Sequence, residues 1–176
     1  MKLIRTIATA AAALVVTITP SFARVEEGTG DLIRTLDDNG ISVVVNNERC
    51  NGEFLGTYRF IGLKRQMTLC PGETIDAVDH ATVRHETWHA IQHCVNTARG
   101  TASNTPVAED MDELRQLVNT YVPAETVQWI YESYPEDHWL IELEANAVER
   151  SFTATELEDL FLKACSFWRY LLLPLV

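Results

Sequence analysis

Basic residues are scarce in this chain: 14 Lys and Arg stand against 25 Asp and Glu, giving 176 residues a formal charge of -11. That acid excess argues against nucleic acid or an anionic membrane surface as a partner. Close cysteine pairs are lacking too, since Cys50, Cys70, Cys94 and Cys165 stand at least 20 positions apart, which excludes a zinc site built from four thiolates in paired spacing. Long apolar runs are missing as well. The stretch from about Ile7 to Ile18 is interrupted by Thr9 and Thr17, ends before Pro20 and is too short to span the hydrocarbon core of a bilayer. The terminal Leu171–Val176 is shorter still, and no stable membrane anchor is expected. No internal repeat is visible, and the length suits one domain with a modest core.

The apolar stretch instead reads as an export signal. Lys2 and Arg5 precede it, and Ser21-Phe22-Ala23 supplies small residues at the positions a signal peptidase reads. Residues 1–23 are therefore assigned to a signal peptide cleaved after Ala23, and residues 24–176 to a mature domain of charge -13 once Lys2 and Arg5 are lost. Export places the protein in the periplasm or outside the cell. An even number of cysteines in such a compartment predicts two disulfides and no free thiol. Cys50 with Cys70 would close a hairpin, and Cys94 with Cys165 would pin the last helix to the helix that carries the central motif.

That motif is His85-Glu86-Thr87-Trp88-His89. Two His four apart share one face of a helix, so both imidazoles reach a single tetrahedral zinc ion. Glu86 then lies beside the open coordination position, where it can take a proton from water. A helix over about Val78 to Val95 is predicted, with Val83, Thr87, Ala90, Ile91 and Cys94 forming an apolar stripe opposite the His pair. His93 continues the four-residue ladder, but on an unbroken helix it sits roughly 12 Å from His85 along the axis, too far to share one metal. The pattern that draws a third His from the same region needs Gly three residues after the second His; here that residue is Gln92. His93 is placed on the helix surface or lining the site.

The third ligand must come from another element, and Trp139 to Arg150 is the candidate: no Gly or Pro, good helix formers, and two acids, Glu142 and Glu144. HExxH followed by Glu-x-Glu-Ala-Asn resembles the gluzincin-type zinc peptidases, in which two His on one helix and a Glu from a later helix hold the metal. The Glu-Ala-Asn segment is most similar to that of zinc peptidases that cleave phage-type repressors. The likeness covers two short motifs, the interval from His89 is longer here, and an export signal precedes it. Glu142 and Glu144 lie about 200° apart around a helix, so only one faces the metal. Glu144 shares its face with Leu140, Ile141, Ala147 and Val148, where a carboxylate is costly to bury without a cation; it is assigned as the ligand, and Glu142 is placed at the surface or in a supporting position.

The fold class expected is α+β and zincin-like. Residues 24–75 form the strand-rich part, with strands at Ile41–Val45, Thr57–Ile61 and Gln66–Cys70 in a small, mainly antiparallel sheet punctuated by Asn46, Asn47, Gly52, Gly56 and Gly62. Residues 76–176 form the helical part, with helices at about Pro106–Thr120, Pro123–Tyr134 and Pro135–Phe152. A last helix opens on Thr153 with Glu156 as a capping box and carries a core stripe that includes Leu157, Phe161 and Trp168. The function expected is an exported zinc metalloendopeptidase, with His85, His89 and Glu144 binding zinc, Glu86 as general base and a peptide or protein as substrate. Tyr131, Tyr134, His93 and His138 are open candidates for the oxyanion donor. The alternative is a zincin-like domain that binds zinc or a partner without turnover.

Overall fold

The computed structural model describes residues 28–45, 50, 55–61, 64–70 and 80–171, and from Ser166 onward only the backbone is described. The expected signal peptide and its cleavage after Ala23, the turn residues Asn46, Asn47, Gly52 and Gly62, the start of the metal helix before His80 and the side chain of Trp168 lie outside these residues. The described chain is α+β and mostly helical. Helix α1 (Thr29–Asp38) precedes strands β1 (Ile41–Val45), β2 (Gly56–Ile61) and β3 (Lys64–Leu69). Then come α2 (His80–Arg99), α3 (Met111–Tyr121), α4 (Ala124–Ser133), a 3-10 turn at Glu136–His138, α5 (Trp139–Ser151) and α6 (Ala154–Leu171). No helix among the described residues is long and apolar enough to cross a membrane.

The three strands fall where alternation and turn formers place them, but the sheet is mixed rather than mainly antiparallel. Its order is β1-β3-β2. β2 pairs with β3 antiparallel, from Gly56 opposite Leu69 to Ile61 opposite Lys64. β1 pairs with the other edge of β3 in parallel, from Ile41 opposite Arg65 to Val45 opposite Leu69. Turn residues encode that the chain reverses, not which edge of the next strand it joins, and β3, with Arg65, Met67, Thr68 and Leu69 buried, is the strand that gains partners on both sides. Helix α1 was not anticipated in this strand-rich part. Its Leu32 and Leu36, four apart, are fully buried, one apolar face in an otherwise acidic, Gly-flanked segment.

Both expected disulfides are present: Cys50–Cys70, with Cα atoms 5.4 Å apart, and Cys94–Cys165, at 5.2 Å. The second ties α2 to α6. Helix α2 is the hub of the molecule, touching the sheet through β2 and β3 and packing on α1, α5 and α6. Its apolar face, Val83, Thr87, Ala90, Ile91 and Cys94, is buried as the periodicity requires. It runs to Arg99, past the expected end near Val95. Gly100 then stops it in the left-handed region at φ +69, with the Thr101 N–H donating to the Asn96 carbonyl at 2.9 Å.

Helix α3 starts at Met111, not Pro106: the backbone N–H groups of Val107 and Ala108 donate to the Glu144 carboxylate, and Asp110 takes the N-cap, accepting from the Asp112 N–H at 2.8 Å. The α6 capping box forms: the Thr153 N–H donates to Glu156 Oε2 at 2.8 Å and the Glu156 N–H to Thr153 Oγ1 at 3.3 Å. One core, with Leu36, Ile41, Met67, Val83 and Phe161, joins sheet, α1, α2 and α6. A second, with Leu114, Val118, Ile130, Leu143 and Ala147, joins α3, α4 and α5. α5 lies between this second core and α2, so one of its faces is turned toward the HExxH residues.

Candidate metal centre

On α2, His85 and His89 are one turn apart and their Nε2 atoms approach to 3.1 Å. From α5, Glu142 closes the group: Oε2 lies 3.3 Å from His85 Nε2 and Oε1 lies 3.5 Å from His89 Nε2. These three side chains are the one set among the described residues whose donor atoms converge as metal ligands would. The structure therefore corrects the third member of the group from Glu144 to Glu142. Glu144 is indeed buried, at 2 % exposure, but it points away from the His pair, toward Trp88 and Gln92 of α2 and the backbone at 107–108. There Oε2 accepts from Trp88 Nε1 at 3.0 Å, Gln92 Nε2 at 2.8 Å and the Val107 N–H at 2.9 Å, while Oε1 accepts from the Ala108 N–H at 2.8 Å. Four N–H donors offset the burial that a cation was expected to offset.

The hydrogen bonds behind the His pair decide which nitrogen faces inward. His85 Nδ1 lies 3.0 Å from Glu149 Oε2, an acceptor when ionised, so Nδ1 carries the proton and Nε2 the lone pair. His89 Nδ1 lies 2.7 Å from Gln92 Oε1. The Gln92 amide is itself oriented, since its Nε2 donates to Glu144 Oε2 and to the Ile141 carbonyl at 3.1 Å, so Oε1 must be the atom that meets His89. Both Nε2 lone pairs and the Glu142 carboxylate thus converge on one point. Three acceptors around one point repel each other unless a positive charge sits among them.

Without a metal that charge is a proton. Burial alone would lower His85, but contacts with Glu142 and Glu149 and the charges of Glu86 and Glu149 outweigh it and lift the ring to about 10. His89 is raised in the same way, chiefly by Glu142 against burial. Burial would raise Glu142, yet the two imidazoles against it pull it down to about 2. The separations of 3.1 to 3.5 Å match the edge of a tetrahedron whose bonds are about 2 Å, roughly 3.3 Å. Two imidazole nitrogens and a carboxylate are a donor set zinc accepts.

Glu86 sits beside this group at 5 % exposure, with Oε2 buried and accepting no hydrogen bond. Burial raises its carboxyl first of all, His89 and His85 lower it, Glu142 raises it again, and a hydrogen bond from the Tyr58 backbone N–H lowers it. Strand β2 packs so close here that a Cβ on Gly56 would stand 2.5 Å from Thr82 Cγ2 and 3.1 Å from Glu86 Oε1. Only glycine allows that approach. Neither Gly56, Gln92 nor Glu149 was singled out for this site, although Glu142 and Glu149, seven apart, visibly share one helix face.

A cleft of about 540 Å³ opens over the group, walled by β2 from Gly56 to Phe60 on one side and by Tyr134, His138 and Ile141 on the other, with Ser103 and Asn104 at its rim. Of the open oxyanion candidates, Tyr134, His93 and His138 line this cleft; Tyr131 does not, its exposed ring lying 4.7 Å from that of Trp139. His93 packs on Phe60, ring centroids 4.2 Å apart, and burial and Arg65 lower its pKa. The Tyr134 hydroxyl is held above its ordinary value by burial, then by the charges of Glu142 and Glu86 and a hydrogen bond with Glu142. It remains a donor at neutral pH. No protein-family model, curated protein or solved structure matches the chain.

Proposed function

We propose that the chain is a zincin-like, zinc-dependent endopeptidase of the gluzincin type, exported to an oxidising compartment, with His85, His89 and Glu142 as metal ligands. One observation carries this: two lone-pair nitrogens and a carboxylate meet at ligand spacing, with a further buried carboxylate, Glu86, beside them and outside the ligand set. A purely structural zinc site has no use for that extra carboxylate. Zinc, when bound, supplies a Lewis acid that polarises a peptide carbonyl and makes water acidic near neutral pH. Glu86 takes the proton from the attacking water and passes it to the departing amide nitrogen. The Tyr134 hydroxyl donates to the oxygen on which negative charge develops. Glu149 holds the His85 imidazole in the tautomer that turns Nε2 inward.

A polypeptide substrate is favoured by the cleft wall. β2 is paired with β3 on one side only among the described residues, and an open strand edge along a cleft suits an extended chain added in β fashion. The two disulfides agree with an oxidising compartment. The test is Glu86→Gln in purified protein. Zinc content should remain stoichiometric while cleavage of a denatured protein substrate falls by at least about a hundredfold. Near-normal cleavage would refute the role of Glu86, and chelator-insensitive cleavage would refute the metal.

A further inference from the structure

Gln92 and Glu144 are not in the ligand set, yet each is 2 % exposed and the two are joined. Gln92 has one amide with two distinct ends. Its Nε2 is committed to two acceptors, Glu144 Oε2 at 2.8 Å and the Ile141 carbonyl at 3.1 Å. A flipped amide would set an oxygen against both. Its Oε1 is therefore left for His89 Nδ1 at 2.7 Å, and an amide oxygen only accepts. Glu144 in turn cannot swing away, because Trp88 Nε1 and the N–H groups of Val107 and Ala108 hold both its oxygens.

We infer that Gln92 and Glu144 are positioning residues: Glu144 fixes the orientation of the Gln92 amide, and the amide fixes the His89 tautomer that presents Nε2 to the metal. His85 has its own, separate support in Glu149. The two ligands of α2 are thus oriented by different means, a carboxylate directly for His85 and an amide backed by a carboxylate for His89. Glu144 also anchors the segment that supplies Ser103 and Asn104 to the cleft rim, so His89 and that rim share one support.

This rests on the metal function proposed above, and its test separates the two. In full-length protein with labelled histidines, His89 Nδ1 should carry a protected proton whether zinc is absent or bound. In Gln92→Leu the His89 Nδ1–H should lose its protection, with His85 Nδ1–H unchanged as an internal reference. Zinc alone, titrated against a competing chelator, should bind about 10–100-fold more weakly to Gln92→Leu. The size-conserving Glu144→Gln should show the same His89 change and the low end of that loss, about tenfold, because an amide at 144 turns a donor toward donors. Disturbance of both imidazoles together would mark a general structural effect and overturn the inference. So would an unaltered His89 signal with zinc affinity within about twofold of the parent protein. A parent protein that binds no zinc but shows the His89 pattern and its loss in the variants would uphold the relay and refute the metal function.

Discussion

Helix α5 carries two buried carboxylates two positions apart, and its two faces compensate them in different ways. Toward Trp88 and Gln92 of α2 and the backbone of the 105–108 segment, the oxygens of Glu144 meet four N–H donors. Toward the His pair of α2, Glu142 meets the Nε2 atoms of both imidazoles, at 3.3 and 3.5 Å. Burying a carboxylate demands compensation in both cases. Fixed dipoles supply it on the first face and a net positive charge on the second. A buried acid in an apolar stripe is therefore no sign of a metal by itself; the atoms opposite its oxygens are.

The contrast is broken most directly by truncating each acid in turn. Glu142→Ala should lower zinc affinity by roughly a thousandfold, the share of a zinc site's binding free energy that falls to one ligand. Glu144→Ala should lose only about tenfold in zinc affinity, while orphaning its donors costs about 3 kcal/mol of unfolding free energy in denaturant titrations. Equal losses of affinity in the two variants would erase the distinction.

A smaller effect sharpens it through pH. In metal-free protein Glu142 is lowered from 4.5 to about 2, so its contribution to stability is present above 4.5 and lost as pH falls through 2. His85 is raised from 6.5 to about 10, so its contribution is present below 6.5 and lost as pH rises through 10. The melting temperature of chelator-treated protein should thus be highest between those ordinary values and fall on both sides. Zinc should abolish the alkaline fall, since the metal replaces the proton. A metal-free melting curve that is flat in pH would show that the charges of the ligand face do not interact as described.

The HExxH residues, the capping box at Thr153, the strands and both disulfide pairings were legible in the sequence because local spacing encodes them. The choice between Glu142 and Glu144 was not. Helical periodicity showed that the two acids face apart, and it grouped Glu142 with Glu149. It did not show which of the two turns to the His pair of α2 and which to Trp88 and Gln92 on the same helix. That depends on the backbone N–H groups of Val107 and Ala108, in a segment the Pro106 start signal assigned to a helix. Gln92 was informative only as an absent glycine, though its amide proves to be the support of His89. The parallel pairing of β1 with β3 was hidden for the same reason: partner choice is a long-range property that turn residues do not carry.

The central claim is that zinc is held by His85, His89 and Glu142. It is tested most directly by a crystal structure of zinc-loaded protein with anomalous differences recorded at the zinc edge. A single peak about 2 Å from His85 Nε2, His89 Nε2 and a Glu142 oxygen is predicted, with Glu144 still bound to Gln92 and the Val107 and Ala108 N–H groups. A peak coordinated by Glu144, or none near the His pair, would contradict it.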